Sequence, residues 1–283
     1  MKTHLANNNL VQPTNNTIES SDLEAINTAY ITELFSGIQG EGHWVGQRQI
    51  FLRFTGCDLR CQWCDSPDSL SIRIKETSRL EQTAGQRDFL HLQNPLPVDI
   101  LSNFIISLEK DLDHHSMSLT GGEPLLQATF IQELLQNLKE KHGFKPKIFL
   151  ETGGHRPRDL QKVINWIDFL SFDLKLPSST RERALWQEHQ EFIKVASAKT
   201  GYAKAVLTAE TTDGDIETAC KILKENLDCF ELVLQPVAMI PNNASYSVPS
   251  PDQMLDWHSK TIKILGRGRV QVIPQTHKFI GQL

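Results

Sequence analysis

The sequence predicts an α/β fold, a partial (β/α) barrel of parallel strands with helices on the outside. Between residues 98 and 237, segments whose apolar residues recur with the helical period alternate with short apolar runs that are typical of buried strands. Several of these runs end in glycines or polar residues, at 120–123, 151–154, 173–175 and Gln235. Because parallel strands carry their sites at the rim formed by their carboxyl ends, we expect the functional residues to collect there.

The individual elements follow one another in a regular order. Two strands come first and flank a glycine-rich loop at 36–47. The helix predicted over 129–143 ends at Gly143, because glycine readily adopts the backbone conformation found after a helix. Strands are predicted at 29–35, 48–56, 115–122, 147–154, 168–177, 202–210 and 230–237, and helices at 98–109, 129–143, 158–167, 181–197 and 215–227.

The chain is predicted to hold one large catalytic domain, residues 29–283, after an N-terminal extension at 1–28. The extension is rich in Asn, Thr and Ser with few large apolar side chains, so burial there cannot offset the entropy of ordering and we expect it to be disordered. The stretch at 69–97 is polar and irregular, which is typical of an insertion or a lid.

Composition limits the classes of function. A net charge of −5 argues against a general nucleic-acid or anionic-membrane surface, because such surfaces need uncompensated Lys and Arg. No run of 18 apolar residues occurs, and the first residues lack the apolar core of a signal peptide. We therefore expect a cytoplasmic protein whose partner is a small molecule.

Three cysteines lie close together in the segment FTGCDLRCQWCDS. Cys57, Cys61 and Cys64 have the spacing C-x3-C-x2-C, so three thiolates can converge on one metal centre. Thiolates are ligands for zinc or for an iron–sulfur cluster, and structural zinc needs a fourth ligand, for which His43 and His91 have no suitable spacing. A four-iron cluster held by three cysteines instead leaves one iron open for a ligand. Cys220 and Cys229 are expected to be ordinary lone thiols.

This motif, with the aromatic Trp63 just before its last cysteine, resembles the signature of the radical S-adenosylmethionine (SAM) superfamily. The resemblance implies that the open iron of a [4Fe-4S] cluster chelates SAM and that electron transfer cleaves SAM to a 5'-deoxyadenosyl radical. The segment TGGEP at 120–124 matches the strand end that binds the methionyl amino group in this superfamily, where Glu123 can accept a hydrogen bond from an ammonium.

A closer resemblance is to the 7-carboxy-7-deazaguanine synthases. It rests on FSGIQGEG, CQWCDS, TGGEPLLQ, LETGG and QTHKFIGQL, and it covers most of residues 31–283. It implies radical ring contraction of 6-carboxy-5,6,7,8-tetrahydropterin with loss of ammonia, in the formation of queuosine precursors. It further implies Mg2+, a flavodoxin- or ferredoxin-type electron donor and a homodimer.

The resemblance also assigns individual residues. Ser66 stands where the family has a threonine that ligates Mg2+, and it offers the same kind of oxygen. Some members have Ser-Pro-Lys where this chain has Asp173, Leu174 and Lys175. The implied substrate contacts are Ile38, Gln39, Gly40, Glu41, Arg53, Thr120 and the terminal carboxylate of Leu283, and the implied SAM contacts are Trp63, Cys64, Asp65, Gly122, Glu123, Asp173, Leu174, Lys175, Gln235, Pro236, Val237 and Ala238.

Two residues are candidates for catalysis. Glu151, at a strand end, can accept a hydrogen bond or move a proton in the pocket, although a structural carboxylate at a turn is an equal alternative. His277, with Lys278, lies in the terminal segment that the family lays over its substrate. By contrast, His114 and His115 are interpreted as loop histidines, and the GRGR segment at 266–269 as a turn.

Two alternative functions remain open at this point. A glycyl-radical activating enzyme, or another small radical SAM enzyme, shares the cluster motif and GGEP but acts on a different substrate, and the QGEG loop argues against it. A non-catalytic zinc-binding interaction module is the alternative of another class.

Overall fold

The computed structural model describes residues 27–71, 76–226, 230–238 and 245–281. The predicted extension at 1–28 therefore lies almost entirely outside the described residues, as do Cys229 and Leu283. The strands are β1 (Thr28–Ala29), β2 (Ile31–Ile38), β3 (Arg48–Phe54), β4 (Thr77–Glu81), β5 (Phe89–Gln93), β6 (Leu96–Pro97), β7 (Ser116–Gly121), β8 (Lys147–Thr152), β9 (Phe169–Asp173), β10 (Thr200–Leu207), β11 (Glu231–Pro236) and β12 (Val270–Val272). The helices are α1 (Val98–Asp111), α2 (Ala128–Gln136), α3 (Pro157–Val163), α4 (Pro177–Thr180), α5 (Trp186–Ala196), α6 (Asp213–Glu225) and α7 (Pro251–Leu265).

Ten of these strands form one open sheet. Their order is β12-β11-β10-β9-β8-β7-β3-β2-β4-β5, and every neighbouring pair from β3 to β12 is parallel. Strand β2 is antiparallel to β3, and β4 runs parallel to β2. This arrangement confirms the predicted α/β fold with a parallel sheet and outer helices.

The two faces of the sheet have different chemistry because successive side chains of a strand point to opposite sides. On β8, Ile148 and Leu150 belong to the large apolar core that packs against the helices. Their neighbours Phe149 and Glu151 face the other way, where Phe149 packs with Tyr202 and Trp44. This second face of the sheet therefore carries aromatic and polar side chains, of which Glu151 lines the cavity described below.

The sheet curls so that its distant parts meet on this face. Lys204 on β10 forms an ion pair with Glu41, which follows β2, although four strands separate β2 from β10 in the sheet order. The backbone N–H of Thr276 also donates to the carbonyl of Gly40, at 2.8 Å. These contacts are those expected of a partial barrel that surrounds its site.

Several element boundaries differ from the prediction. The helix predicted over 181–197 begins only at Trp186, because Arg181 adopts a left-handed conformation (φ 63°) after the short helix α4. Helix α2 continues as a π-helical turn over Asn137–Lys141, before Gly143. Helix α7 was not predicted, although Ser250 and Gln253 form a capping box at its start.

The segment at 69–97 contains regular structure where irregular structure was expected. Strand β4 lies beside β2, and Leu80 is fully buried in the core. Strand β5 pairs with β4 at the sheet edge, and its exposed residues explain the polar sequence. That the segment is an insertion or a lid stays a prediction.

Among the described residues, none of the helices has the length and apolar character needed to span a lipid bilayer.

Candidate active site

A cavity of about 350 Å³ opens at the rim formed by the carboxyl ends of the parallel strands. Most residues predicted from the sequence line it, whereas Leu174, Pro236 and Ala238 do not. The side chain of Leu174 instead belongs to the core, so only its backbone is available to a ligand. The predicted residues that line the cavity are Ile38, Gln39, Gly40, Glu41, Arg53, Cys57, Cys61, Trp63, Cys64, Asp65, Ser66, Thr120, Gly122, Glu123, Glu151, Asp173, Lys175, Gln235, Val237 and His277.

The cysteine loop follows β3 and is tied to its surroundings by backbone hydrogen bonds. The N–H of Cys57 donates to the carbonyl of Leu70 at 3.2 Å, and the N–H of Cys64 donates to the carbonyl of Cys61 at 3.0 Å. The N–H of Gln62 donates to the carbonyl of Thr180 at 3.1 Å. The loop therefore presents its three thiols to the cavity from a fixed backbone.

The spacing of the three sulfur atoms bears on which metal they could hold. Within the described residues, Glu41, Asp65 and His277 are the one group of three whose ligand atoms all lie within 4.8 Å of one another. The three cysteine sulfur atoms do not form such a group, so at least two of them are more than 4.8 Å apart, whereas two thiolates on a single zinc ion are at most about 4.6 Å apart. The larger separation fits a multi-iron cluster, so the donor set does not favour the zinc alternative.

Burial opposes the ionisation of these three thiols. Burial raises the pKa of Cys57 to about 12, and it raises the pKa of Cys61 and Cys64 as well. Lys175 acts in the opposite direction on all three, but burial outweighs it. Bound iron would supply the positive charge that the thiolates need in this environment.

The two glycines of TGGEP let the next strand end pack directly on the cysteine loop. A Cβ atom on Gly122 would lie 2.1 Å from the carbonyl oxygen of Gly56, and a Cβ on Gly121 would lie 2.2 Å from that of Phe54. In the structure these glycines approach the backbone beside Cys57.

Glu123 is almost fully buried beside this contact. Its carboxylate accepts hydrogen bonds from the N–H of Leu125, the hydroxyl of Thr152 and the N–H of Gly153, at 3.0, 2.8 and 2.8 Å. These donors fix the orientation of the carboxylate at the edge of the cavity.

Trp63, Lys175 and Asp173 are brought together next to the cysteines. The indole N–H of Trp63 donates to the hydroxyl of Ser179 at 2.9 Å, and the ammonium of Lys175 lies 4.9 Å from the Trp63 ring centre. The same ammonium is 2.5 Å from a carboxylate oxygen of Asp173. Burial alone would raise the pKa of Asp173, but Lys175 and Lys204 outweigh it and lower that pKa.

The glycine-rich loop after β2 also lines the cavity. The amide nitrogen of Gln39 donates to Gln49 at 3.1 Å and to Glu151 at 3.3 Å, and its carbonyl oxygen accepts from the N–H of Glu41 at 3.0 Å. Ser118 also donates to Glu151. Burial, reinforced by the charge of Glu41, raises the pKa of Glu151. Its proton is therefore held to higher pH than on an ordinary glutamate.

The terminal segment, residues 275–278, packs against the glycine-rich loop and lines the cavity beside it. The amide nitrogen of Gln275 donates to Glu41 and to Asp65, each at 2.7 Å, and the ammonium of Lys278 is 2.6 Å from the Gln275 carbonyl oxygen. A Cβ atom on Gly40 would lie within 2.3–2.5 Å of His277, so only glycine permits this packing. His277 is thereby placed beside the predicted substrate loop.

Lys204 is the main site residue that the sequence did not reveal. It lines the cavity, its side chain is only 12% exposed, and it pairs with Glu41 and with Asp173, at 3.4 Å in the second case. A lysine between two buried alanines in a predicted strand was the available signal, because an inward charge there needs a partner. Gln275 was missed as well.

The residues interpreted as structural are found in such positions. His114 is buried and bonded to Ser36 and Glu109, and His115 stacks on Phe169. Cys220 lies in the core on α6, and residues 267–268 form the predicted turn.

Comparisons with known proteins agree with this geometry. A family model described as a 4Fe-4S single cluster domain matches residues 38–188. A 7-carboxy-7-deazaguanine synthase of Geobacter sulfurreducens is 35% identical over 90% of this chain and 98% of its own. One from Thermococcus kodakarensis is 33% identical over 89% of this chain and 98% of its own.

Solved structures share the fold at lower sequence identity. QueE from Escherichia coli has a TM-score of 0.54 at 18% identity, with 93% of this chain and 100% of that chain covered. Streptococcus suis SuiB bound to S-adenosylmethionine has a TM-score of 0.51 at 18% identity, with 79% and 51% covered. The long match to the curated enzymes is inconsistent with the activating-enzyme and zinc-module alternatives. The chain therefore belongs to the 7-carboxy-7-deazaguanine synthase family and carries its 4Fe-4S domain.

Proposed function

We propose that this protein converts 6-carboxy-5,6,7,8-tetrahydropterin to 7-carboxy-7-deazaguanine with loss of ammonia. The observation that carries the proposal is one cavity lined both by the three cluster thiols and by Arg53, Thr120, Glu41 and Glu151. The curated relatives bear the name of this activity. A bound [4Fe-4S] cluster with SAM supplies a carbon-centred radical that can remove a hydrogen atom from the substrate.

The residues near the cysteines suit SAM. Trp63, Val206, Val237 and Tyr246 pack together as an apolar wall for the adenosine part. The side-chain oxygen Oε1 of Gln235 is buried without a hydrogen-bond partner in the described part of the chain. A donor on the bound ligand would satisfy it. Glu123, with its fixed carboxylate, would accept from the amino group of the methionyl part.

A second group of cavity residues suits a carboxylated pterin. The Arg53 guanidinium has a planar fork that binds a carboxylate, and Gln39 and Glu41 offer acceptors and donors for the pterin edge. Glu151 lies among them with a raised pKa, which favours its role as the group that takes or returns a proton during ring contraction. His277 would cover the substrate from the terminal segment.

Ser66 and Asp65 are the proposed protein contacts of Mg2+. The Ser66 hydroxyl lies 3.3 Å from Asp65 Oδ1 and 3.3 Å from a terminal nitrogen of Arg53, so a cation there would sit beside the substrate carboxylate. The cluster of Glu41, Asp65 and His277 is a second candidate, but Mg2+ prefers oxygen to the imidazole nitrogen.

Replacing Ser66 tests the metal assignment. Ser66→Ala should lower the affinity for Mg2+ about tenfold or more, because it removes a ligand oxygen, whereas Ser66→Thr should keep it. The measurement is product formation and Mg2+ binding as the Mg2+ concentration is varied. Equal Mg2+ dependence in Ser66→Ala and the unchanged protein would contradict the assignment of Ser66 as a ligand and favour the site formed by Glu41, Asp65 and His277.

Further parts of the proposal concern partners. We infer a homodimer, a flavodoxin- or ferredoxin-type electron donor, and a cytoplasmic location. Phe279 and Ile280, which are exposed next to the cavity, are candidates for the dimer contact.

The function is tested by anaerobic product analysis. Reconstituted protein is incubated with the carboxytetrahydropterin, SAM, Mg2+ and a reductant, and the deazaguanine, ammonia and 5'-deoxyadenosine are quantified. We expect all three to form. An intact cluster that cleaves SAM without producing the deazaguanine would reject the proposed substrate.

A further inference from the structure

A row of charged side chains crosses the sheet beside the cavity. In the strand registers, Arg79 of β4 lies opposite Glu33 of β2, Glu33 lies opposite Arg53 of β3, and Arg53 lies opposite Thr120 of β7. Arg53 and Thr120 line the cavity. The row therefore connects the site to the edge strands of the 69–97 segment.

Glu33 is shared by the two arginines. Its carboxylate accepts from Arg53 Nε at 2.9 Å through one oxygen and from Arg79 through the other. The Glu33 side chain is 7% exposed. Burial alone would raise the pKa of Glu33, but the two guanidinium groups outweigh it and lower that pKa.

The hydrogen bonds of Arg53 leave one of its terminal nitrogens available to bind a ligand. Its Nε is bonded to Glu33 and its Nη1 lies 3.3 Å from Ser66, while Nη2 has no hydrogen bond to any described residue. A guanidinium offers five donors, so the edge that faces the cavity can still bind a carboxylate.

Arg79 determines the net charge of this row of side chains. One carboxylate stands between two guanidinium groups, so the row of Arg79, Glu33 and Arg53 keeps one net positive charge. Without Arg79, Glu33 would neutralise Arg53. Arg79 is held in place because its guanidinium also lies 5.0 Å from the ring centre of Phe89 on β5.

We propose that Arg79 is a positioning residue that acts through Glu33 to keep the charge and orientation of Arg53 available for the carboxylate of the substrate. The proposal rests on the function proposed above. It gives β4 and β5 a part in substrate selection, since both strands hold Arg79.

The test compares Arg79→Met, Arg79→Lys and the unchanged protein as reconstituted holoenzyme with SAM and no reductant. Binding of the carboxytetrahydropterin and of its 6-carboxamide analogue is measured at equilibrium. Arg79→Met should weaken binding of the carboxylate about tenfold and of the carboxamide no more than about twofold, because only the carboxylate responds to the lost charge. Arg79→Lys, which keeps the charge, should restore most of the carboxylate affinity.

The control is Glu188→Gln, which removes an arginine–glutamate pair outside the cavity and should change neither affinity. Unchanged carboxylate binding in Arg79→Met would overturn the proposal, as would an equal loss for both ligands. Failure of the unchanged protein to make product would refute the proposed function, whereas normal turnover with an unaffected Arg79→Met refutes this inference alone.

Discussion

Replacing any one of Cys57, Cys61 and Cys64 by alanine should abolish cluster assembly and product formation. Each thiol faces the same cavity from the fixed loop after β3, and two remaining thiolates cannot hold the cluster in this geometry. Activity should fall more than about a hundredfold. Replacing a residue that only hydrogen-bonds to a metal ligand can already lower activity about a hundredfold, and loss of a ligand should have a larger effect. Iron and sulfide content after anaerobic reconstitution measures the effect.

The matched control is Cys220→Ala. Cys220 lies in the apolar core on α6 and has no contact with the cavity, so its replacement should leave iron content and turnover intact. If Cys220→Ala lost the cluster while Cys61→Ala retained it, the assignment of the ligands would be wrong.

Lys204→Met should both destabilise the protein and inactivate it. The ammonium lies between Glu41 and Asp173, so its removal leaves Glu41 without a cation and leaves Asp173 with Lys175 alone. Breaking a buried ion pair in this way costs about 3 kcal/mol, the low end of the usual range, because Lys175 still compensates Asp173. The free energy of unfolding and the rate of product formation are the two measurements.

Lys147→Met provides the comparison on the same sheet. Lys147 begins β8, its side chain is 60% exposed, and its carboxylate partner Asp168 is 3.6 Å away. Loss of this exposed pair should change stability by no more than about 0.5 kcal/mol. Lys204→Arg should recover part of the stability lost in Lys204→Met. A Lys204→Met protein as stable and active as Lys147→Met would contradict the role given to Lys204.

The parts of the site that the sequence predicted are local in the chain. The cysteine spacing, the glycines before Glu123 and the polar strand ends each occur within a few residues, and the parallel sheet brings them to one rim. The same logic failed for β4 and β5. The residues of β5 are exposed because that strand lies at the sheet edge, whereas β4 buries Ser78, Leu80 and Glu81 beside β2. Only the strand pairing reveals these positions.

The residues that were missed depend on long-range contacts. Lys204 meets Glu41 across 163 positions, and Gln275 reaches Glu41 and Asp65 across 234 and 210 positions. No sequence feature near Gln275 indicates that its side-chain amide donates hydrogen bonds to two carboxylates. Glu33 and Arg79 likewise resemble ordinary strand residues until the registers of β2 with β3 and β4 are known.

The most direct test of the central claim is electron paramagnetic resonance of the anaerobically reconstituted and reduced protein, recorded before and after SAM is added. Three thiolate ligands leave one iron of a four-iron cluster open, so we predict a reduced [4Fe-4S] signal that changes when SAM binds. A spectrum without a four-iron signal, or one that is identical with and without SAM, would contradict the claim.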